Sequence, residues 1–283
     1  IGAVTGGSNT LTLTTENNVT GSDITASGAI SGVTTLTLAS VGGTATLSAD
    51  VDVTTLAVDN TVANLAFTGN GSSVTNAFTP ANDGTFVFGT SGGTQTYNAG
   101  LTTTSVGSTV TLNGTIATSD DAIVLGAVTL GSATVIDTNS TTTNRADITI
   151  AAVTGGSNTL TLTTENNVTG SDITASGAIS GVTTLTLSNV GGTATLSGDV
   201  DVTTLAVDNT VANVAFTGNG SSVTNAFTPA NDGTFVFGTS GGTQTYNAGL
   251  TTTSVGSTVT LNGTIASSDD AIVLGAVTLV VQR

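Results

Sequence analysis

The chain of 283 residues contains no cysteine, methionine, tryptophan or histidine, and its only two basic residues are arginines, so lysine is absent as well. Without cysteine, histidine and lysine the chain cannot build a Ser-His-Asp triad, a thiol nucleophile, a Schiff base or a zinc site made of the usual ligands. Carboxylates are the only general acids or bases that remain. We therefore predict that the chain is not an enzyme.

Basic charge is also scarce, because eighteen acidic residues face two arginines and the formal net charge is −16. Nucleic acids and anionic membrane surfaces are bound by clusters of lysine and arginine, which this chain cannot form. The longest apolar stretch, 271–281, is shorter than the roughly 20 residues that a spanning helix needs. We predict a protein that binds no nucleic acid and does not span a membrane.

What the chain does contain is one long segment twice. Residues 3–130 recur at 152–279, shifted by 149 positions, with five differences. They are Ala39/Ser188, Ser40/Asn189, Ala49/Gly198, Leu65/Val214 and Thr118/Ser267. A near-identical tandem copy is the signature of a repeat architecture. The stretch 131–151 between the copies has strand-like phrases of its own, so we predict a connecting coil there and one continuous solenoid over 1–283, with 280–283 as a divergent tail.

Short alternating segments fill both copies. Isoleucines alternate with Asp and Thr over 146–150, and leucines alternate with threonines over 159–163. Such period-2 runs, separated by corners of Gly, Asn, Asp and Ser, indicate strands with one buried and one exposed face. Their spacing predicts an all-β fold, a right-handed parallel β-helix (β-solenoid) with about 20–25 residues per coil. The alternative is a pair of β-sandwich domains in tandem.

Aromatic residues are concentrated in one part of each copy, around a turn signal at Asn82-Asp83-Gly84. One interpretation is a long coil or outward hairpin with an aromatic mini-core of its own. The other is an exposed aromatic protrusion, one per copy, that binds sugar or a neighbouring molecule. In that second interpretation the interaction surface consists of Phe78, Phe86, Phe88, Tyr97, Phe227, Phe235, Phe237 and Tyr246.

Two pairs of acidic residues are candidate catalytic carboxylates. They are Asp50 with Asp52 and Asp120 with Asp121. Paired carboxylates are the machinery of glycoside hydrolysis. However, the first pair alternates with valines, which places both acids on the outer strand face, and the second follows a corner. We expect solvated acids. No cofactor is assigned, although Asp/Asn corners stacked between coils could offer oxygen ligands to Ca²⁺.

Three phrases, at 121–130, 146–150 and 158–162, resemble the β-strand repeats of filamentous haemagglutinin-like and autotransporter-type adhesins, which are very large prokaryotic surface proteins. The resemblance lies in the pattern of the strand repeats and in the composition, and it covers essentially the whole chain. It implies a right-handed parallel β-helix, secretion to the cell surface, and a role in adhesion or surface structure.

These observations lead to three hypotheses of function. The first is an extracellular structural repeat protein, a segment of an adhesin, stalk or fibre, whose partner is a further copy of itself through end-to-end or lateral association. The second is a binding module that takes surface glycans on the aromatic protrusions. The third is a polysaccharide-active enzyme that uses the acidic pairs.

Overall fold

A computed structural model describes residues 1–141 and 144–279, so the predicted tail at 280–283 lies outside the described residues. The chain divides into two compact units, Ile1–Val135 and Ile136–Arg283. The boundary falls inside the predicted connecting coil 131–151. The described residues contain strands, turns and bends but no helix. The all-β prediction is therefore confirmed, while the continuous solenoid over both copies stays a prediction.

The strands are short and closely spaced along the chain. Those that begin in the first unit are β1 (Val4–Thr14), β2 (Ile24–Ala26), β3 (Ile30–Ala39), β4 (Val41–Leu47), β5 (Val51–Val58), β6 (Val62–Phe67), β7 (Ser73–Val74), β8 (Phe86–Phe88), β9 (Thr94–Tyr97), β10 (Leu101–Thr102), β11 (Val110–Ala117) and β12 (Ile123–Asp137).

The second unit repeats this order. Its strands are β13 (Ile148–Thr154), β14 (Thr159–Thr163), β15 (Ile173–Ala175), β16 (Ile179–Ser188), β17 (Val190–Leu196), β18 (Val200–Val207), β19 (Val211–Phe216), β20 (Ser222–Val223), β21 (Phe235–Phe237), β22 (Thr243–Tyr246), β23 (Leu250–Thr251), β24 (Val259–Leu261), β25 (Thr264–Ala266), β26 (Ile272–Val273) and β27 (Val277–Leu279).

Within each unit a strand pairs in parallel with the strand one coil later. Leu36 of β3 is level with Leu56 of β5, and Ile24 of β2 is level with Ala45 of β4. The same ladder in the second unit sets Leu185 level with Leu205. Each unit is thus a β-solenoid, and the turns of the two units add up to about 13. Parallel stacking of this kind excludes the alternative of antiparallel β-sandwich domains.

The core of each unit is a set of apolar columns. Along β5 the side chains alternate between the interior and solvent in two stretches, 51–54 and 55–58, so that Val51, Val53 and Leu56 are buried while Asp52 and Thr54 are exposed. Because parallel pairing keeps the register, each inward side chain lies above its equivalent in the previous coil. Full burial of one aliphatic side chain contributes about 1.5–3 kcal/mol, and the columns repeat this gain in every coil.

Bends between the faces depend on glycine at a few positions. Gly32 has a φ of 63°, a left-handed conformation that residues with a Cβ adopt at a cost. It lies at a register shift between Ser31 and Val33, where β3 carries one extra residue opposite β5. Gly181, with a φ of 67°, makes the same bend in the second unit.

Candidate functional site

The aromatic residues proposed as an exposed interaction surface are buried. Phe78 and Phe227 are 1% exposed, and Phe86, Phe88, Tyr97, Phe235, Phe237 and Tyr246 are 0% exposed. The hypothesis of an aromatic protrusion is therefore wrong. The physical reason is the strand alternation, because in β8 the two phenylalanines flank Val87 and share the inward face that β6 supplies with Leu65 and Phe67.

Inside each unit these rings form a mini-core, as the other interpretation predicted. Phe86 and Phe88 are stacked with centroids 3.7 Å apart, and Phe78 lies against Tyr97 at 5.5 Å with nearly parallel planes. The second unit has the same arrangement, with 4.0 Å for Phe235 and Phe237. Aromatic contacts of this kind add about 0.5–1.5 kcal/mol per pair beyond burial.

A buried glutamine, overlooked at the sequence level, completes this core. Gln95 accepts a hydrogen bond from the Tyr97 hydroxyl (2.9 Å) and donates from Nε2 to the carbonyl oxygens of Phe67 (2.8 Å) and Gly69 (3.1 Å). Burial raises the pKa of Tyr97 well above its ordinary value, so its hydroxyl stays a donor. Alternation along β9 could have revealed this residue, since it shares the face of Tyr97.

The acidic pair Asp50 and Asp52 serves the coil-to-coil contact. One oxygen of Asp50 accepts the backbone N–H of Gly71 at 2.8 Å, and one of Asp52 accepts the N–H of Ser73 at 3.1 Å. Each acid thereby satisfies a donor at the start of the next coil. Asp120, with a φ of 67°, sits in a corner beside exposed Asp121. Over residues 1–141 and 144–279, no three acidic side chains gather where they could hold a metal ion.

A polar groove lies on the outer surface of each unit, at the bulge of Gly32 or Gly181. The first has a volume of about 410 Å³ and the second about 400 Å³. The polar lining of the first groove is Ser8, Thr34, Asp52, Thr54, Ser73 and Thr75, and the second has the same residues 149 positions later. These hydroxyls and the carboxylate can form hydrogen bonds with a polar ligand. The sequence did not predict the grooves, because they depend on the register shift.

Asp137 is the one carboxyl group among the described residues with a clearly raised pKa. Burial raises it from 3.8 to about 6, the charge and side-chain hydrogen bond of Glu165 raise it as well, and the N–H of Asn139, 2.7 Å away, lowers it. Both carboxyl groups belong to the second unit. In the first copy the equivalent of Glu165 is Glu16, which is exposed.

The comparisons with known proteins add no relative. No family model, no curated protein and no solved structure matches the chain. In the part of the chain that the structure describes, no helix is long and apolar enough to cross a membrane. The fold thus stands on the structure, and the adhesin family stays a resemblance.

The raised pKa of Asp137 predicts that the second unit loses stability as the pH rises through about 6. The folded state holds this proton more tightly than the unfolded chain, so the stabilisation is complete below the unfolded pKa of 3.8 and lost above the folded value. Because the carboxyl is partly exposed, we expect a loss of about 1 kcal/mol of unfolding free energy. Asp137→Asn should abolish this pH-dependent loss of stability.

Urea denaturation over this pH range measures the effect. The matched control is Glu16→Gln in the first copy, which should leave the pH profile unchanged, whereas Glu165→Gln should reduce the pH dependence only in part, because burial is the larger cause of the raised pKa. Parallel profiles for the Asp137→Asn variant and the parent chain would contradict the raised pKa of Asp137.

Proposed function

We propose that the chain is a segment of an extracellular structural β-solenoid, an adhesin, stalk or fibre, that lengthens by stacking further coils on its ends. It has no catalytic role in this proposal. The observation that carries the proposal is the contrast between the same residues in the two copies. Side chains that are buried in one copy form an uncovered apolar edge in the other.

The uncovered edge lies at β26 and β27. Leu279 is 67% exposed and Val277 38%, whereas their equivalents Leu130 and Val128 are 2% and 3% exposed. Ile272 and Leu274 are also exposed, although Ile123 and Leu125 in the first copy are buried. In the first copy these residues belong to β12, which pairs with the later strand β14, whereas the described residues contain no strand beyond β27. These side chains are suited to a covering layer of this fold.

The backbone of β27 can also form hydrogen bonds with one more strand. Val277–Leu279 pairs with Val259–Leu261 on one side, and the described residues supply no strand for its other side. An open strand edge is a template for another strand, and in a solenoid the fitting strand is a parallel coil. A further parallel coil would therefore cover the apolar side chains and pair with the backbone groups of this edge.

A second copy of the chain can provide that occupant. In β1 the inward residues Leu11 and Leu13 are half-buried, while their equivalents Leu160 and Leu162 are fully buried. The first coil of one chain thus has an apolar edge, as does the last coil of another chain. Contacts between the first coil of one chain and the last coil of another are head-to-tail, and head-to-tail contacts whose rotation does not close a ring extend into filaments.

Composition and resemblance support the extracellular part of the proposal. A chain without lysine offers trypsin-like proteases only its two arginines, and the one that the structure describes, Arg145, is paired with Asp147 and Asp172 at 3.0 and 3.3 Å. Durability of this kind suits exposure to secreted proteases. The resemblance to surface adhesins points to the same location.

Assembly of the purified chain tests the structural role. We expect filaments in electron micrographs whose length grows with protein concentration, and with salt, because salt screens the repulsion between chains of charge −16. Val277→Lys with Leu279→Lys should keep the chains single, since the two charges would be buried in the contact. The control, Thr79→Lys at an exposed position outside the strands, should assemble like the parent. Single chains under all conditions, or filaments of the edge variant, would refute end-to-end stacking.

Antibody labelling of cells that produce the protein tests its location. We expect antibodies against the chain to label intact cells as strongly as permeabilised ones. Label that requires permeabilisation would contradict the extracellular assignment without affecting the assembly experiment.

A further inference from the structure

Two asparagine–glycine pairs occur in each copy, and the structure gives them different surroundings. Asn70-Gly71 and its equivalent Asn219-Gly220 are exposed bends between strands. Asn113-Gly114 lies inside β11, where the glycine is buried and the asparagine half-buried. This sequence is the one in which a backbone nitrogen reaches the preceding side-chain amide most easily, because glycine has no Cβ to crowd the approach.

A carboxylate touches the backbone nitrogen at the exposed bends. The N–H of Gly71 donates to Oδ1 of Asp50 at 2.8 Å, and the N–H of Gly220 donates to Oδ1 of Asp199 at 2.7 Å. That distance is within the range over which a general base takes a proton. The bond recurs in both units, so it belongs to the bend and not to a single side-chain placement.

The second pair lacks this arrangement. The N–H of Gly114 donates to the Ser132 hydroxyl at 3.3 Å, which is a poor base. The side-chain amide of Asn113 is held as well, because it donates to the Phe88 carbonyl oxygen at 3.0 Å. The first copy therefore contains one asparagine–glycine pair with a base on the attacking nitrogen and one without.

We propose that Asn70 and Asn219 are sites of self-modification, at which the asparagine deamidates through a succinimide with Asp50 or Asp199 as the base. The glycine nitrogen attacks Cγ of the asparagine, its proton passes to the carboxylate, and the C–N bond of the side-chain amide breaks to release ammonia. Water then opens the ring on either side, giving aspartate or isoaspartate. The sum is asparagine plus water to an acid plus ammonia, so no oxidant or further reagent is needed.

The modification changes the surface of the solenoid. Each event adds one negative charge beside Asp50 or Asp199, on a chain whose charge is already −16. Isoaspartate also lengthens the backbone by one carbon at the entry to β7 or β20. The Asn70 carbonyl oxygen accepts the N–H of Thr94 at 2.8 Å, so a longer backbone there disturbs the contact with the next coil.

Ageing of the intact chain in neutral buffer tests the proposal. Digestion with a protease that cleaves before aspartate gives peptide 59–82, which contains Asn70 with Leu65, and peptide 208–231, which contains Asn219 with Val214, so the two copies are distinguished. Asn113 lies in peptide 83–119 with Thr118, where the second copy has Ser267. Mass spectrometry follows the change from amide to acid, and isoaspartyl methylation detects the product that only a succinimide gives. We expect Asn70 and Asn219 to convert about tenfold faster than Asn113, below the full gain of an evolved general base.

Asp50→Asn keeps a hydrogen-bond acceptor but removes the base. It should slow Asn70 severalfold while Asn219, in the same molecule, keeps its rate as the internal reference. Gly71→Ala, where the added Cβ would lie 3.1 Å from Asp50, should also slow it. Equal rates at Asn70 and Asn113, acid without isoaspartate, or an Asp50→Asn rate at or above that of the parent would each overturn the proposal.

Discussion

The parallel backbone ladder between successive coils is the constraint from which the rest of the structure follows. Register is retained from coil to coil, so an inward leucine must lie on another inward residue, as Leu36 does on Leu56 and Leu185 on Leu205. The backbone donors at the bends need acceptors in the neighbouring coil, and Asp50 and Asp52 supply two of them. Asp50 and Asp52, which the sequence offered as candidate catalytic carboxylates, are thus hydrogen-bond acceptors between coils.

The same constraint explains why a buried polar network is tolerated among the aromatic rings. Gln95 lies on the inward face of β9, where its amide would be costly to bury alone, but it joins the Tyr97 hydroxyl to two backbone carbonyls one coil away. The network repeats at Gln244 with the same three partners. The core holds large rings here, and the buried amide of this glutamine keeps its hydrogen-bond partners.

Alternation in the sequence was enough to predict the solenoid, because the burial of every second residue is a local property. The same alternation could have predicted that the aromatic residues are buried, since Phe86 and Phe88 occupy the inward-facing positions of their strand. The prediction of a protrusion gave too much weight to the turn at Asn82-Asp83-Gly84 and too little to that parity. The grooves and the edge at β27 were beyond reach, because register shifts and covering layers involve residues far apart in the chain.

Disulfide trapping in register tests the parallel stacking most directly, since the chain has no cysteine of its own. Thr184 and Thr204 are level on neighbouring strands, which places their Cα atoms about 4.8 Å apart, within the range of a disulfide. Thr184 and Ala206 share the same face but are two residues out of register, about 8 Å apart. The account predicts that the cysteine pair 184/204 oxidises readily and the pair 184/206 does not. Preferential bonding of the second pair, or of neither, would contradict it.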